Sequence, residues 1–242
     1  MKLLLSETVI ALKLSLRDRQ SLFWAFLFPL LLLVLFVSAF GGGNPRAASG
    51  VLSGVICISI FTATLFGIGI VIASVREEGI LRRYRITPLP KWVFVFGTVM
   101  SRYIVLFLST AVLILAAEVF YHIEIVGGFF SLFVVFTVGT ASFSALGFAV
   151  ASFAPTAQSA VWMANVLLMP MILLSGATIP SYILPVWVNN VALGLPSTYL
   201  YDAVEEVIVF GGGVASIWPD LAVLMVFLTV AAALSVKLFR WE

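Results

Sequence analysis

Charge is what this chain most lacks. Its 242 residues include 13 lysines and arginines and 11 aspartates and glutamates, so 10% are charged against 62% hydrophobic. Soluble globular chains carry about 25% charged and about 45–50% apolar residues, because polar side chains must cover the surface. That excludes a soluble domain, and the mean hydropathy of +1.19 reads as membrane-embedded. The same apolar content excludes disorder. One cysteine, Cys57, rules out an intramolecular disulfide and leaves the redox compartment unread. One histidine, His122, has no metal-ligand partners at useful spacing, so no metal site is expected. There is no G-x-x-x-x-G-K-[ST], no H-E-x-x-H and no nucleophile elbow, and Gly67-Ile68-Gly69 lacks the later glycine of a dinucleotide site. The apolar stretches hold no acid pairs, which leaves a proton- or sodium-coupled carrier little to work with. No enzyme active site emerges.

What the chain has instead is long apolar runs. A membrane helix needs about 20 mostly apolar residues to cross about 30 Å of hydrocarbon. Six stretches qualify: Leu22–Phe40, Val51–Val75, Trp92–Ala117, Phe129–Phe153, Val161–Ala177 and Leu221–Leu238. The expected fold is therefore an all-α polytopic membrane protein, a single transmembrane domain over residues 1–242 with no internal repeat. Placing both termini inside puts Lys2, Lys13, Arg17, Arg19, Arg76, Arg82, Arg83, Arg85, Lys91, Lys237 and Arg240 in the cytoplasm. Only Arg46 then lies outside, with the acids Glu124, Asp202, Glu205, Glu206 and Asp220. The positive-inside rule thus predicts cytoplasmic termini.

Arg102 is the one charge inside an apolar stretch. The third stretch is longer than the hydrocarbon requires, so Trp92–Ser101 is expected along or beyond the inner interface, with Arg102 snorkelling there. Pairing with Glu118 is ruled out within one chain, since roughly 24 Å of helix axis separates them. At the N-terminus, Leu5, Val9, Leu12 and Leu16 recur at helical spacing, with Glu7, Lys13, Arg17 and Asp18 off the stripe. This reads either as an amphipathic interfacial helix on the inner leaflet or as a basic topogenic flank. Gly50-x-x-x-Gly54 and Ala141-x-x-x-Ala145 are small-residue patterns that so Gly- and Ala-rich a chain produces by chance. Asn165, the sole amide well inside a span, is a packing residue or a weak candidate for touching cargo.

Two connecting segments stand out. The inner loop Arg76–Lys91 sets Glu77, Glu78 and Gly79 before a short helical pattern that Pro88 and Pro90 stop. That pattern presents Ile80, Leu81 and Tyr84 among Arg82, Arg83 and Arg85, a mixed surface suited to docking on a protein or to fixing topology against lipid headgroups. The outer segment Thr178–Pro219 contains Tyr182–Leu195, apolar but too short to span and broken by Pro185, Asn189 and Asn190. It predicts a re-entrant or interfacial helix, followed by a second one from Pro196–Ser197 to Gly211–Gly213.

Two of these segments carry a family resemblance. "VREEGILRRYRITPLPKWVFVFG", Val75–Gly97, and "PMILLSGATIPSYILPVWVNNVALGLPSTYLYDAV", Pro170–Val204, resemble the membrane permease of type-2 ATP-binding-cassette exporters. The resemblance covers essentially the whole chain, with one departure: Glu205 and Glu206 stand where many members carry a basic residue. It implies a homodimer, or a heterodimer of like subunits, working with two copies of a cytoplasmic ATPase that bind ATP and Mg. This chain itself would bind no cofactor. Glu77, Glu78, Gly79, Ile80, Leu81, Arg82 and Tyr84 would form the coupling helix on the ATPase. Pro180, Pro185, Trp187, Pro196, Tyr199 and Asp202 would belong to the outer gate. The expected cargo is a hydrophobic or amphipathic small molecule exported across the cytoplasmic membrane. The alternatives are a polysaccharide or teichoic-acid exporter and, in another class, an ATPase-independent six-helix channel or scaffold.

Overall fold

The computed structural model describes residues 2–41, 44–79, 91–179 and 183–238. All regular structure among them is helical. Helix α1 (Lys2–Arg17) precedes α2 (Arg19–Phe40), α3 (Pro45–Glu77), α4 (Lys91–Tyr121), α5 (Phe129–Phe153) and α6 (Ala157–Leu174). Two short helices, α7 (Val186–Ala192) and α8 (Pro196–Ile208), lead to α9 (Trp218–Leu238). Six of these helices, α2 to α6 and α9, are long and apolar enough to cross a membrane, α4 over Val95–Tyr121 and α9 over Trp218–Ser235. The chain is a multi-pass membrane protein. The Arg76–Glu77 end of α3 and the Ala154–Thr156 turn lie together at one end of the bundle, which Arg76 makes basic. Tyr121–Gly128 and helices α7 and α8 share the opposite, acidic end.

Polar caps set the helix starts, and they shift several boundaries from those expected from hydropathy. Asn44 accepts a hydrogen bond from the Arg46 N–H at 3.0 Å with Pro45 in the first turn, so α3 begins at Pro45, ahead of the first wholly apolar run at Val51. Thr156 and Ser159 form a reciprocal capping box that starts α6 at Ala157 rather than Val161. Pro170 lies inside α6 without ending it. Asp18 caps the start of α2, accepting from the Gln20 and Ser21 N–H groups at 3.1 and 3.2 Å and from the Ser21 hydroxyl at 2.6 Å. Helix α4 is closed by His122 in the left-handed region at φ 51°. The lone histidine thus serves as a helix stop.

Helix α3 is the axis of the packing. Leu52, Val55, Ile56, Cys57, Ile60, Phe61 and Leu65 are all almost wholly buried, and the Phe61 and Phe143 rings meet at 4.6 Å between α3 and α5. In lipid the apolar effect does not drive helices together, so close backbone approach and hydrogen bonds carry more of the association. Ser142 on α5 donates to the Leu224 carbonyl on α9 at 2.9 Å. A Cβ on Gly54 would lie 2.2 Å from the Ala177 carbonyl oxygen, whereas one on Gly50 would meet only the Glu205 carboxylate at 3.7 Å, so Gly54 alone of that pattern is required by packing. Gly54 admits the chain leaving α6.

Helix α1 packs along the first half of α4 with a face of Leu4, Glu7, Thr8, Ala11, Leu12 and Ser15, all half-buried. Three of the four stripe residues, Leu5, Val9 and Leu16, stay exposed beside that face. The apolar stripe is therefore turned away from the bundle. Arg102 also departs from expectation. Helix α4 is continuous from Lys91, and the Arg102 side chain lies partly buried over Gly67, whose Cβ position is 3.4 Å from Nε. It rests between spans instead of reaching along lipid to the interface.

Candidate functional site

At the basic end, α3 runs past the apolar region to Glu77, and its last turn grips the turn between α5 and α6. The Arg76 guanidinium donates to the Ala154 carbonyl. The Glu77 carboxylate accepts the Ala157 N–H at 2.8 Å. The first N–H groups of a helix have no partner of their own, and the helix dipole makes that end electropositive. A carboxylate there is stabilising. Glu78 turns back to accept the Ser74 hydroxyl at 2.9 Å, and Gly79 takes φ +69°, the left-handed conformation that releases the chain from α3. Of the predicted coupling residues, Glu77, Glu78 and Gly79 are thus placed. Ile80, Leu81, Arg82 and Tyr84 lie outside the described residues.

At the acidic end, the expected single helix over Tyr182–Leu195 is shorter. It spans Val186–Ala192, with Pro185 immediately before it, and Trp187 is exposed. Pro180 lies outside the described residues. Pro196 opens α8, fitting a first-turn position whose N–H would be unpaired anyway. Two bonds lash α7 to α8: Thr198 donates to the Ala192 carbonyl at 2.7 Å, and the Tyr199 phenol to the Leu193 carbonyl at 2.8 Å. Among the predicted gate residues, Pro185, Trp187, Pro196 and Tyr199 therefore fall in one folded cap.

Asp202 sits on α8 beside other acids. Partial burial, then Asp220, then Glu205 push its carboxyl up to about 6, although part of the side chain reaches solvent. Tyr201 donates to Glu205 at 2.8 Å, and burial together with that carboxylate pushes its phenol upward. Glu205 is thus an acceptor for Tyr201. The Tyr201 ring fills the space above Gly176, which has φ +87° and no Cβ to collide with it.

These contacts make α6 a strut between the two ends. Its first residue is held by Glu77, and the Gly176–Ala177 segment just beyond its last is wedged between Tyr201 of α8 and Gly54 of α3. The helix between is about 27 Å long at 1.5 Å per residue. Sequence reading missed the Glu77–Ala157 and Arg76–Ala154 contacts. No local pattern signals them, because the partners are distant in the chain and meet only by packing. Asn165, midway along α6, donates to the Val161 carbonyl of its own helix at 2.9 Å.

Between α4 and α5 an open groove of about 460 Å³ is lined by Phe107, Ala111, Ile114, Leu115, Phe129, Leu132, Phe133 and Phe136, with Thr110, and Phe107, Leu115, Phe129 and Phe133 are exposed in it. Phe107 packs edge-on to Phe133 and Phe136 at 6.1 and 5.8 Å. Among the described residues, no group of three or more His, Cys, Asp or Glu side chains could hold a metal ion.

The family described as ABC-2 type transporter matches residues 4–209. This chain belongs to that family. It is 25% identical over 169 residues to the "Probable multidrug ABC transporter permease YbhR" of Escherichia coli (strain K12), a match covering 70% of this chain and 46% of that protein. It is 22% identical over 244 residues to the "Putative transport permease YvfS" of Bacillus subtilis (strain 168), covering 97% and 96% of the two chains. The chain thus spans about half the length of the Escherichia coli relative and nearly all of the Bacillus one. It is thus a membrane protein of the ABC-2 transporter family.

Proposed function

We propose that this permease exports a hydrophobic or amphipathic small molecule, of drug, antibiotic or lipid-like chemistry, across the cytoplasmic membrane. Two copies pair, and two separate ATPase subunits supply ATP and Mg at the basic, cytoplasmic end. ATP closes the ATPase dimer against the loop beyond Gly79, and the permease switches between inward and outward openings. A ligand shifts such an equilibrium only by binding the two states differently, so the loop docks more tightly in one of them.

The observation that carries this reading is the strut. Helix α6 is held at its basic end by Glu77, at the root of the coupling loop, and at its acidic end by the cap that Tyr199 and Tyr201 build. A displacement of the loop is thereby delivered to the outer cap. The multidrug name of the Escherichia coli relative supports an apolar cargo.

The test is Leu81→Asp and Tyr84→Ala, with Lys91→Gln as a control. Loss of a buried interface anchor commonly costs about 2 kcal/mol or more. The first two variants should insert normally, lose copurification with the ATPase and abolish cargo-stimulated ATP hydrolysis, while the control changes little. Normal transport by Leu81→Asp would sink the coupling role.

A further inference from the structure

Helix α8 enters the membrane region end-on. A Cβ on Gly127 would lie 2.3 Å from the Val207 carbonyl oxygen, and the Val126 N–H donates to the Ile208 carbonyl at 3.2 Å. The C-terminus of α8 therefore sits at the mouth of α5. Leu200 meets α5 much further in: its Cδ1 lies 2.5 Å from a Cβ on Gly139, about 15 Å along that helix from Phe129. The 13-residue helix thus points its N-terminus inward. Pro196 and Ser197, most of a turn beyond Leu200, lie near half of the about 37 Å that α5 spans.

That N-terminus is left open. The side chain of its N-cap, Leu195, accepts no hydrogen bond, and the first N–H groups of a helix have no partner within it. Ser197 is wholly buried, and its hydroxyl has no hydrogen-bond partner. Cα–Cβ bonds tilt toward the start of a helix, so this hydroxyl projects over the same end. The acceptors around it are already taken. The Ala192 carbonyl accepts the Thr198 hydroxyl and the Leu195 N–H, the Leu195 carbonyl accepts the Thr198 N–H, and the Leu193 carbonyl accepts the Tyr199 phenol. Donors are therefore in excess at the positive end of a helix dipole.

Leu193 and Gly194, in the turn that feeds α8, are exposed. Non-helical backbone at membrane depth is stable only against protein or a water-filled cavity, and in a paired exporter the passage between the copies meets that requirement. The acids decide the charge of what passes. Asp202, Glu205 and Glu206 follow on the same helix, and Asp220 acts on Asp202 from α9. That field disfavours an anion, so a neutral acceptor suits the open donors.

We infer that the first turn of α8, through the Ser197 hydroxyl and N–H, binds an uncharged carbonyl oxygen of the exported molecule. This rests on the export function proposed above and narrows its cargo to amphiphiles bearing an ester, amide or ketone.

The test uses the purified permease in phosphatidylcholine nanodiscs and two probes, 4-dodecylbenzophenone and 4-dodecyldiphenylmethane, in which CH2 replaces the carbonyl. Native mass spectrometry reads the affinity for each, and comparing their ratio between variants cancels partition into lipid. The ratio in favour of the ketone should be about fivefold higher in the wild type than in Ser197→Ala, the scale of one neutral hydrogen bond. Ser216→Ala, whose hydroxyl is exposed and bonded to the Gly213 carbonyl, should keep the wild-type ratio. Ser197→Ala should melt no lower than the wild type, because it removes a buried hydroxyl that has no partner. Should it nevertheless fail to fold, irradiation of the ketone on the wild type carries the test, with crosslinks expected in the peptide Leu193–Thr198. A ratio unchanged by Ser197→Ala, or crosslinks found only elsewhere, would overturn the site. Loss of transport in Leu81→Asp leaves this ratio untouched, so failure of the site and failure of the export reading are told apart.

Discussion

Removing the Glu77 carboxylate should disconnect the inner loop from α6 while barely touching the fold. In Glu77→Ala the Ala157 N–H loses its 2.8 Å acceptor and the α6 N-terminus loses a negative charge. The Thr156–Ser159 capping box survives, so the helix keeps its main cap. Cap and dipole effects at exposed sites are each worth about 0.5–1 kcal/mol, and water competes here because Glu77 is exposed. The expected loss is therefore about 1 kcal/mol, or roughly 2–4 °C in Tm for a chain of this size. Glu77→Gln keeps an acceptor oxygen but no charge and should lose about half of that. Transport should respond out of proportion. With the strut released at one end, ATP hydrolysis by the assembled transporter should continue while cargo movement falls several-fold in Glu77→Ala. Thermal unfolding together with paired ATP and cargo assays in proteoliposomes separates the two effects. If Glu77→Ala moved cargo at the wild-type ratio to ATP, α6 would not be driven through this contact.

The acidic cap should be more stable in mild acid. The folded-state carboxyl of Asp202 is raised to about 6, above the unfolded value of about 3.9. Between those values the native state holds the extra proton, so stability falls as pH rises through that window. Asp202→Asn should raise Tm at pH 7.5 and flatten the slope between pH 4 and 7; an unchanged slope would refute it. Gly54→Ala should drive a methyl into the Ala177 carbonyl and cost about 1–3 kcal/mol, read as lost thermal stability, whereas a neutral effect would mean that α3 and the end of α6 are not in close contact. Single cysteines at Ser6, Thr87 and Lys237 should resist an impermeant thiol reagent in intact cells, and those at Asn44, Glu124 and Glu206 should react. Labelling of Thr87 from outside would invert the orientation drawn from the positive charges.

Composition and pattern alone determined the helical membrane architecture, the number of spans and the two connecting segments worth attention. Twenty apolar residues in a row have one stable arrangement in lipid, because only a helix satisfies every backbone group within the segment. The helix-starting residues were also visible locally, in Asn44-Pro45 and in Thr156 three residues before Ser159. What only the tertiary structure decided is which of the lone polar and small residues matter to each other. Glu77 meets Ala157, Gly54 meets Ala177, and Arg102 lies over Gly67, each pair joining different helices. Spacing along the chain carries no trace of such meetings. Hydrophobic periodicity says which face of a helix prefers lipid or protein, but in a bundle apolar on nearly every side it cannot say which helix lies opposite. That choice rests on close backbone approach and single hydrogen bonds, which exist only once the helices are packed.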